Sequence, residues 1–165
     1  MVAEDGENVV LIKKMDANVV VKYGKKIPCF IGVFLIEGLK KLSVFKPYTC
    51  LIIITNSHAV ALRFEANTIE LFDPLGLKNT QNLCEIFKFL KRHLPCKRLV
   101  VNTKIQSNSS VQCAKFSLLF LFLRNKGYTF NDFLNLFSED YNANDSKVRK
   151  YFKTFFTKRR KSLRK

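Results

Sequence analysis

TCLIIITNSHAVALRFEANTIELFDPLG, residues 49–76, is the stretch from which the fold is read. Residues 49–55 are rich in Ile and predict a buried strand. Asn56-Ser57 predicts a turn. His58–Phe64 alternates and predicts the next strand. Glu65-Ala66-Asn67 is a second turn, and Thr68–Phe72 a third strand. Together they predict an antiparallel meander. Asp73-Pro74-Leu75-Gly76 closes it, because Pro cannot donate to a ladder and Gly permits a tight turn.

Upstream of the meander, residues 9–13 and 18–22 are short apolar runs of strand or short-helix type, and residues 31–37 suit either. Downstream, the period changes. Leu83, Phe87, Leu90 and Leu94 recur at helical spacing over residues 80–94, and Pro95 ends the segment. Residues 98–102 predict a short strand. Residues 111–125 predict a mostly apolar helix ended by Lys126-Gly127. Residues 130–137 predict a shorter helix capped by Thr129 or Asn131, and residues 146–161 a basic helical tail. The expected class is α+β, a small mixed sheet packed with helices. The expected domain is residues 1–145, followed by a basic C-terminal tail over 146–165.

Composition narrows the function. A chain of 165 residues suits one domain with a proper core, and 47% hydrophobic residues exclude a disordered chain. The longest apolar runs, 50–54 and 116–123, fall far short of the ~20 residues of a membrane span. The acidic start, Met1-Val2-Ala3-Glu4-Asp5-Gly6-Glu7, lacks a signal-peptide pattern. The expectation is a soluble intracellular monomer without a membrane partner. Five cysteines, Cys29, Cys50, Cys84, Cys96 and Cys113, form no CxxC pair, which argues against a disulfide framework and a structural zinc site. Cys29, Cys50 and Cys84 read as core residues.

The net charge of +16 is unevenly placed. Residues 1–72 hold nine basic and seven acidic residues; residues 73–165 hold twenty basic and six acidic. Such asymmetry favours a polyanionic partner, nucleic acid first.

His58, Asp73, Gln106 and Cys113 carry the candidate chemistry. A cysteine nucleophile needs a base, a group that orients the base, and donors for the tetrahedral oxyanion. Cys113 stands near the start of the 111–125 helix, where a helix N-terminus favours a thiolate. His58 opens a strand beside a turn. Asp73 ends the adjacent strand, so a hairpin would bring both to one sheet end. Gln106 lies seven residues before Cys113 and offers a side-chain amide. Each residue alone has a plainer reading: a free Cys is a common core residue, a lone His a satisfied one, Asp73 a turn former, Gln106 a solvated loop residue. Their joint order and spacing raise the odds.

That order resembles the adenovirus-type cysteine proteases, the adenain family, in the wider clan that includes the SUMO and ubiquitin-like peptidases. Leu71-Phe72-Asp73-Pro74-Leu75-Gly76 is similar to the adenain segment Leu-Phe-Glu-Pro-Phe-Gly, and the seven-residue gap from Gln106 to Cys113 is similar to the adenain gap. Lys25-Lys26-Ile27-Pro28-Cys29-Phe30 is a weaker match. The resemblance spans roughly residues 24–126. Ala59 stands where the family has Trp, and Ala114 where it has Gly. The resemblance implies a protease fold, with His58 as base, Asp73 orienting it, Cys113 as nucleophile and Gln106 in the oxyanion hole. It implies a viral endopeptidase cleaving virion precursor polypeptides, in the virion and host nucleus.

Two further expectations follow from it. The adenovirus enzyme takes an activating peptide through a disulfide, which places Cys96, ten residues before Gln106, as the receiving thiol. It also uses DNA as a cofactor, in agreement with the tail. Residues 147–165 hold ten Lys or Arg and no acid, with Lys147, Arg149, Lys150, Lys153, Lys158, Arg159, Arg160 and Lys161 as expected phosphate contacts. Lys158-Arg159-Arg160-Lys161 also resembles a nuclear-import cluster. Other readings of the chain are a SUMO- or ubiquitin-like deconjugating peptidase and a non-catalytic DNA-binding packaging protein.

Overall fold

The computed structural model describes residues 16–39, 46–55, 58–76, 80–95 and 97–157. The apolar run at 9–13 lies outside them. The run at 18–22 is helical. Asp16 accepts the Asn18 amide at 2.8 Å and so caps α1, Ala17–Gly24. The 31–37 run divides into strand β1, Phe30–Leu35, and a single turn, α2, Ile36–Leu39.

The meander forms as its sequence predicts: β2 is Cys50–Thr55, β3 His58–Phe64 and β4 Thr68–Phe72. The 14-residue helix α3, Thr80–His93, then leads to β5, Arg98–Val101. The sheet has the order β1-β2-β3-β4-β5. Its three central strands are antiparallel, and the outer strands β1 and β5 run parallel to β2 and β4. Three helices follow: α4, Cys113–Asn125; α5, Phe130–Leu134; and α6, Tyr141–Phe152, which continues into a π-helical turn, Lys153–Thr157. Thr129 caps α5 in a reciprocal box with Asp132. The protein is α+β, a mixed sheet packed with helices.

The sheet is buried on both faces, and strand alternation sorts its residues. Cys50, Ile52, Ala59, Ala61 and Phe72 face a core shared with α4, α5 and α6. Leu51, Ile53, Val60, Leu62, Ile69 and Leu71 face a second core shared with Leu83, Ile86 and Leu90 of α3. Helix α4 carries nine buried residues among thirteen, so it is a central helix rather than a surface one. Phe120 stacks on Phe72 at 4.7 Å and meets Phe133 edge-on at 5.2 Å.

Two of the three cysteines expected in the core are on the surface. Cys50 is buried, but Cys29 and Cys84 are exposed. Cys29 sits in a turn at φ 62° before an edge strand. Cys84 follows the inward-facing Leu83, one step around α3.

An ion pair fastens α4 to the sheet. Arg124 donates from Nε to Glu70 Oε2 at 2.8 Å and from Nη2 to Glu70 Oε1 at 2.7 Å. Both side chains are largely buried, so removing one partner strands a desolvated charge. Arg124→Ala should lower stability by about 3–5 kcal/mol. Urea unfolding that gave less than about 1 kcal/mol would show the pair to be dispensable.

Candidate active site

The site lies at the end of the sheet where β3 begins and β4 ends. Thr55 pairs with His58, the expected Asn56-Ser57 turn between them lying outside the described residues, and the β3–β4 ladder reaches Ala61 and Phe72. The hairpin therefore delivers His58 and Asp73 to one place. His58 Nε2 and Asp73 Oδ1 are 2.6 Å apart. Asp73 Oδ1 also accepts the Leu75 amide at 2.9 Å. With Nε2 committed to Asp73, the imidazole has Nδ1 left for its other neighbour, the Cys113 side chain. Burial pushes the His58 pKa down; the hydrogen bonds to Asp73 and Cys113, and the charges on those groups, outweigh it. The result is about 9, up from the ordinary 6.5. The imidazole thus holds a proton more firmly than a free one, which suits it to take the proton of the Cys113 thiol.

Cys113 is the first residue of α4 and is 8% exposed. Its position against His58 is set by helix packing on the sheet: Ser117, one turn on, donates to the Ala59 carbonyl at 3.1 Å. Ala59 and Ala114 are both buried at this junction. A side chain as large as Trp at position 59 would displace α4.

Gln106 is buried and held in place by the backbone around it. It is 1% exposed, and its Nε2 donates to the Ser110 carbonyl at 2.9 Å. A primary amide carries two N–H groups, so one donor remains. The Gln106 backbone and that of Ile105 both donate to the Pro74 carbonyl at 2.9 Å. This approach demands glycine at position 76. Gly76 has φ 70°, and a Cβ there would lie 2.7 Å from the Lys104 nitrogen.

Two asparagines missed in the sequence complete the frame. Asn102 clasps the backbone of Asp73, accepting its N–H at 2.8 Å and donating to its carbonyl at 2.6 Å. Asn144, on α6, donates to the Ile105 carbonyl at 2.9 Å. Only an Asn directly after a strand hinted at the first. The second had no local signal, because its partner is 39 residues away.

The basic residues expected to meet phosphate divide into two sets. Lys147, Arg149 and Lys150 on α6, and Lys153 beyond it, are exposed, while Val148, Phe152 and Phe156 of the same segment are buried. Lys158, Arg159, Arg160 and Lys161 lie outside the described residues, as does Cys96. Among the described residues, no helix is long and apolar enough to cross a membrane, and no three His, Cys, Asp or Glu could hold a metal ion.

The chain shares its fold with a bacterial domain. Over 86% of this chain and 97% of the other, it superposes on the central domain of the uncharacterized Lpg1148 protein from Legionella pneumophila, at a TM-score of 0.52 and 13% identity. It also has similarity to HopZ1a in complex with IP6 and CoA, at a TM-score of 0.48 and 18% identity, covering 67% of this chain and 41% of that one. The SUMO protease Ulp1 with its catalytic cysteine oxidized to a sulfinic acid is similar at a TM-score of 0.46 and 13% identity, covering 74% of this chain and 73% of that one. No family model and no curated protein matches the chain.

Proposed function

We propose that the protein is a cysteine endopeptidase. The observation that carries this is His58 between Asp73 and Cys113, with a 2.6 Å carboxylate–imidazole bond and the thiol at a helix N-terminus. His58 takes the thiol proton and Cys113 Sγ attacks the scissile carbonyl. The Cys113 backbone N–H and the free N–H of Gln106 hold the oxyanion. The imidazolium returns its proton to the departing amine, leaving an acyl-enzyme. Water, deprotonated by His58, then releases the acid. The test is a peptide bearing a thiol-directed trap. It should label Cys113 in the wild type and fail to do so in His58→Ala. Equal labelling of both would refute the base assignment.

The natural substrates in this reading are viral precursor polypeptides, cleaved in the virion and host nucleus. The Leu71–Gly76 segment and the Gln106–Cys113 spacing support it. Cleavage of a ubiquitin- or SUMO-like conjugate in preference to virion precursors would replace it with a deconjugating role. By the same resemblance Cys96 receives an activating peptide, and mass spectrometry of mature particles should find that thiol in a mixed disulfide. DNA is the second partner. Four exposed cations on one segment, Lys147, Arg149, Lys150 and Lys153, should give a log K against log salt slope of about −3.6, or roughly a hundredfold loss between about 50 and about 200 mM salt. A flat salt dependence would remove DNA from the reading.

A further inference from the structure

One polar cavity, of about 320 Å3, has no part in the chemistry described so far. Ser109, Ser110 and Gln112 stand on one side, and Asn142, Asp145 and Arg149 of α6 on the other. The loop side ends at the residue before Cys113, so whatever fills the cavity lies beside the nucleophile.

Its chemistry is two-sided. Asp145 is 8% exposed, and its Oδ1 is buried without a partner among the described residues. Ser110 and the Ser107 backbone serve the carboxylate, yet burial still pushes its pKa up, so the site favours a guest that adds a donor. Arg149 is exposed and spends one N–H on Ser146 Oγ at 3.1 Å. A guanidinium has five N–H groups, so it can also serve a guest that accepts. Lys115, whose Nζ donates to Gln112 Oε1 at 2.7 Å, adds a second positive charge nearby. A cationic guest would meet Arg149 and Lys115, and an anionic guest would meet Asp145. A neutral group with N–H and C=O side by side satisfies both walls.

We propose that this cavity is a substrate subsite for a carboxamide side chain, Gln or Asn, whose NH2 donates to Asp145 and whose carbonyl accepts from Arg149. The proposal rests on the endopeptidase reading for its role and on the cavity alone for its ligand. It makes the loop of residues 109–112 a reader of sequence as well as a support for Gln106.

The experiment uses the full chain and peptide sets in which one position at a time is Gln, Asn, Leu, Lys or Glu. Hydrolysis is read as kcat/KM, and binding of the same labelled peptides to Cys113→Ala as fluorescence anisotropy. At one position Gln or Asn should exceed Leu and Lys by about tenfold to a hundredfold. Arg149→Ala should erase that preference. Arg149→Glu, which makes the cavity acidic, should turn the preference to Lys. A wild type with no such position, or an Arg149→Glu variant with the wild-type pattern, overturns the subsite. A binding preference without any hydrolysis overturns the peptidase reading and keeps the cavity's ligand. Hydrolysis without a preference does the reverse.

Discussion

Cys113→Ala is expected to lower peptide hydrolysis by about 10⁴-fold or more, to the level set by binding alone. Sγ is the atom that bonds to the acyl group, and His58 has no other thiol or hydroxyl among its pKa-shifting neighbours to activate. The fold should survive, since the change deletes one sulfur from a residue that is 8% exposed, and a melting point near wild type would confirm that. His58→Ala should be as damaging, and the double variant no worse than either, because groups that act as one unit do not add. Hydrolysis retained in Cys113→Ala with normal folding would end the endopeptidase reading.

Asp73→Ala comes next, with a loss on the order of 10⁴-fold in kcat. It removes the bond that fixes the imidazole and the charge that favours its protonation. Burial is the largest influence on His58 and acts downward, so without Asp73 its pKa falls from about 9. The high-pH limb of the rate should move to lower pH in the variant. Asp73→Asn should fall between, since Oδ1 can still serve His58 and the Leu75 amide while the charge is gone.

Stability gives a second readout of the same bond. The folded pKa of about 9 lies above the unfolded 6.5, so the folded state holds the proton more tightly. That contribution, about 3 kcal/mol, is fully present below pH 6.5 and is lost as pH rises through 9. Wild type should lose more stability across this window than Asp73→Ala. Parallel curves would show that Asp73 does not favour the protonated form of His58.

The central meander was legible because each of its strands carries its own signal: β-branched runs, period-two alternation, and a turn at 65–67. The run at 18–22 was not, because Val-rich segments suit strand or helix, and only the Asp16 cap decides. Cys29 and Cys84 were misread because residue type gives a preference for burial while position on an element decides it. The site was legible where it is local. His58 and Asp73 flank one hairpin, and Gln106 and Cys113 flank one loop. Asn102 and Asn144 were silent, since what gives each its role is a partner distant in sequence.

Pro74 has one carbonyl, and it accepts the amides of both Ile105 and Gln106. The residue before it supplies the acid to His58, and Gly76 two residues after it clears space for Lys104. One four-residue turn therefore sets the gap between the proton-handling side of the cleft and its charge-stabilising side. Drift at that turn would throw both out of alignment together. The cavity proposed for substrate choice, between residues 109–112 and α6, shares with this frame the Ser110 carbonyl that holds Gln106 and the Asn144 amide that holds Ile105.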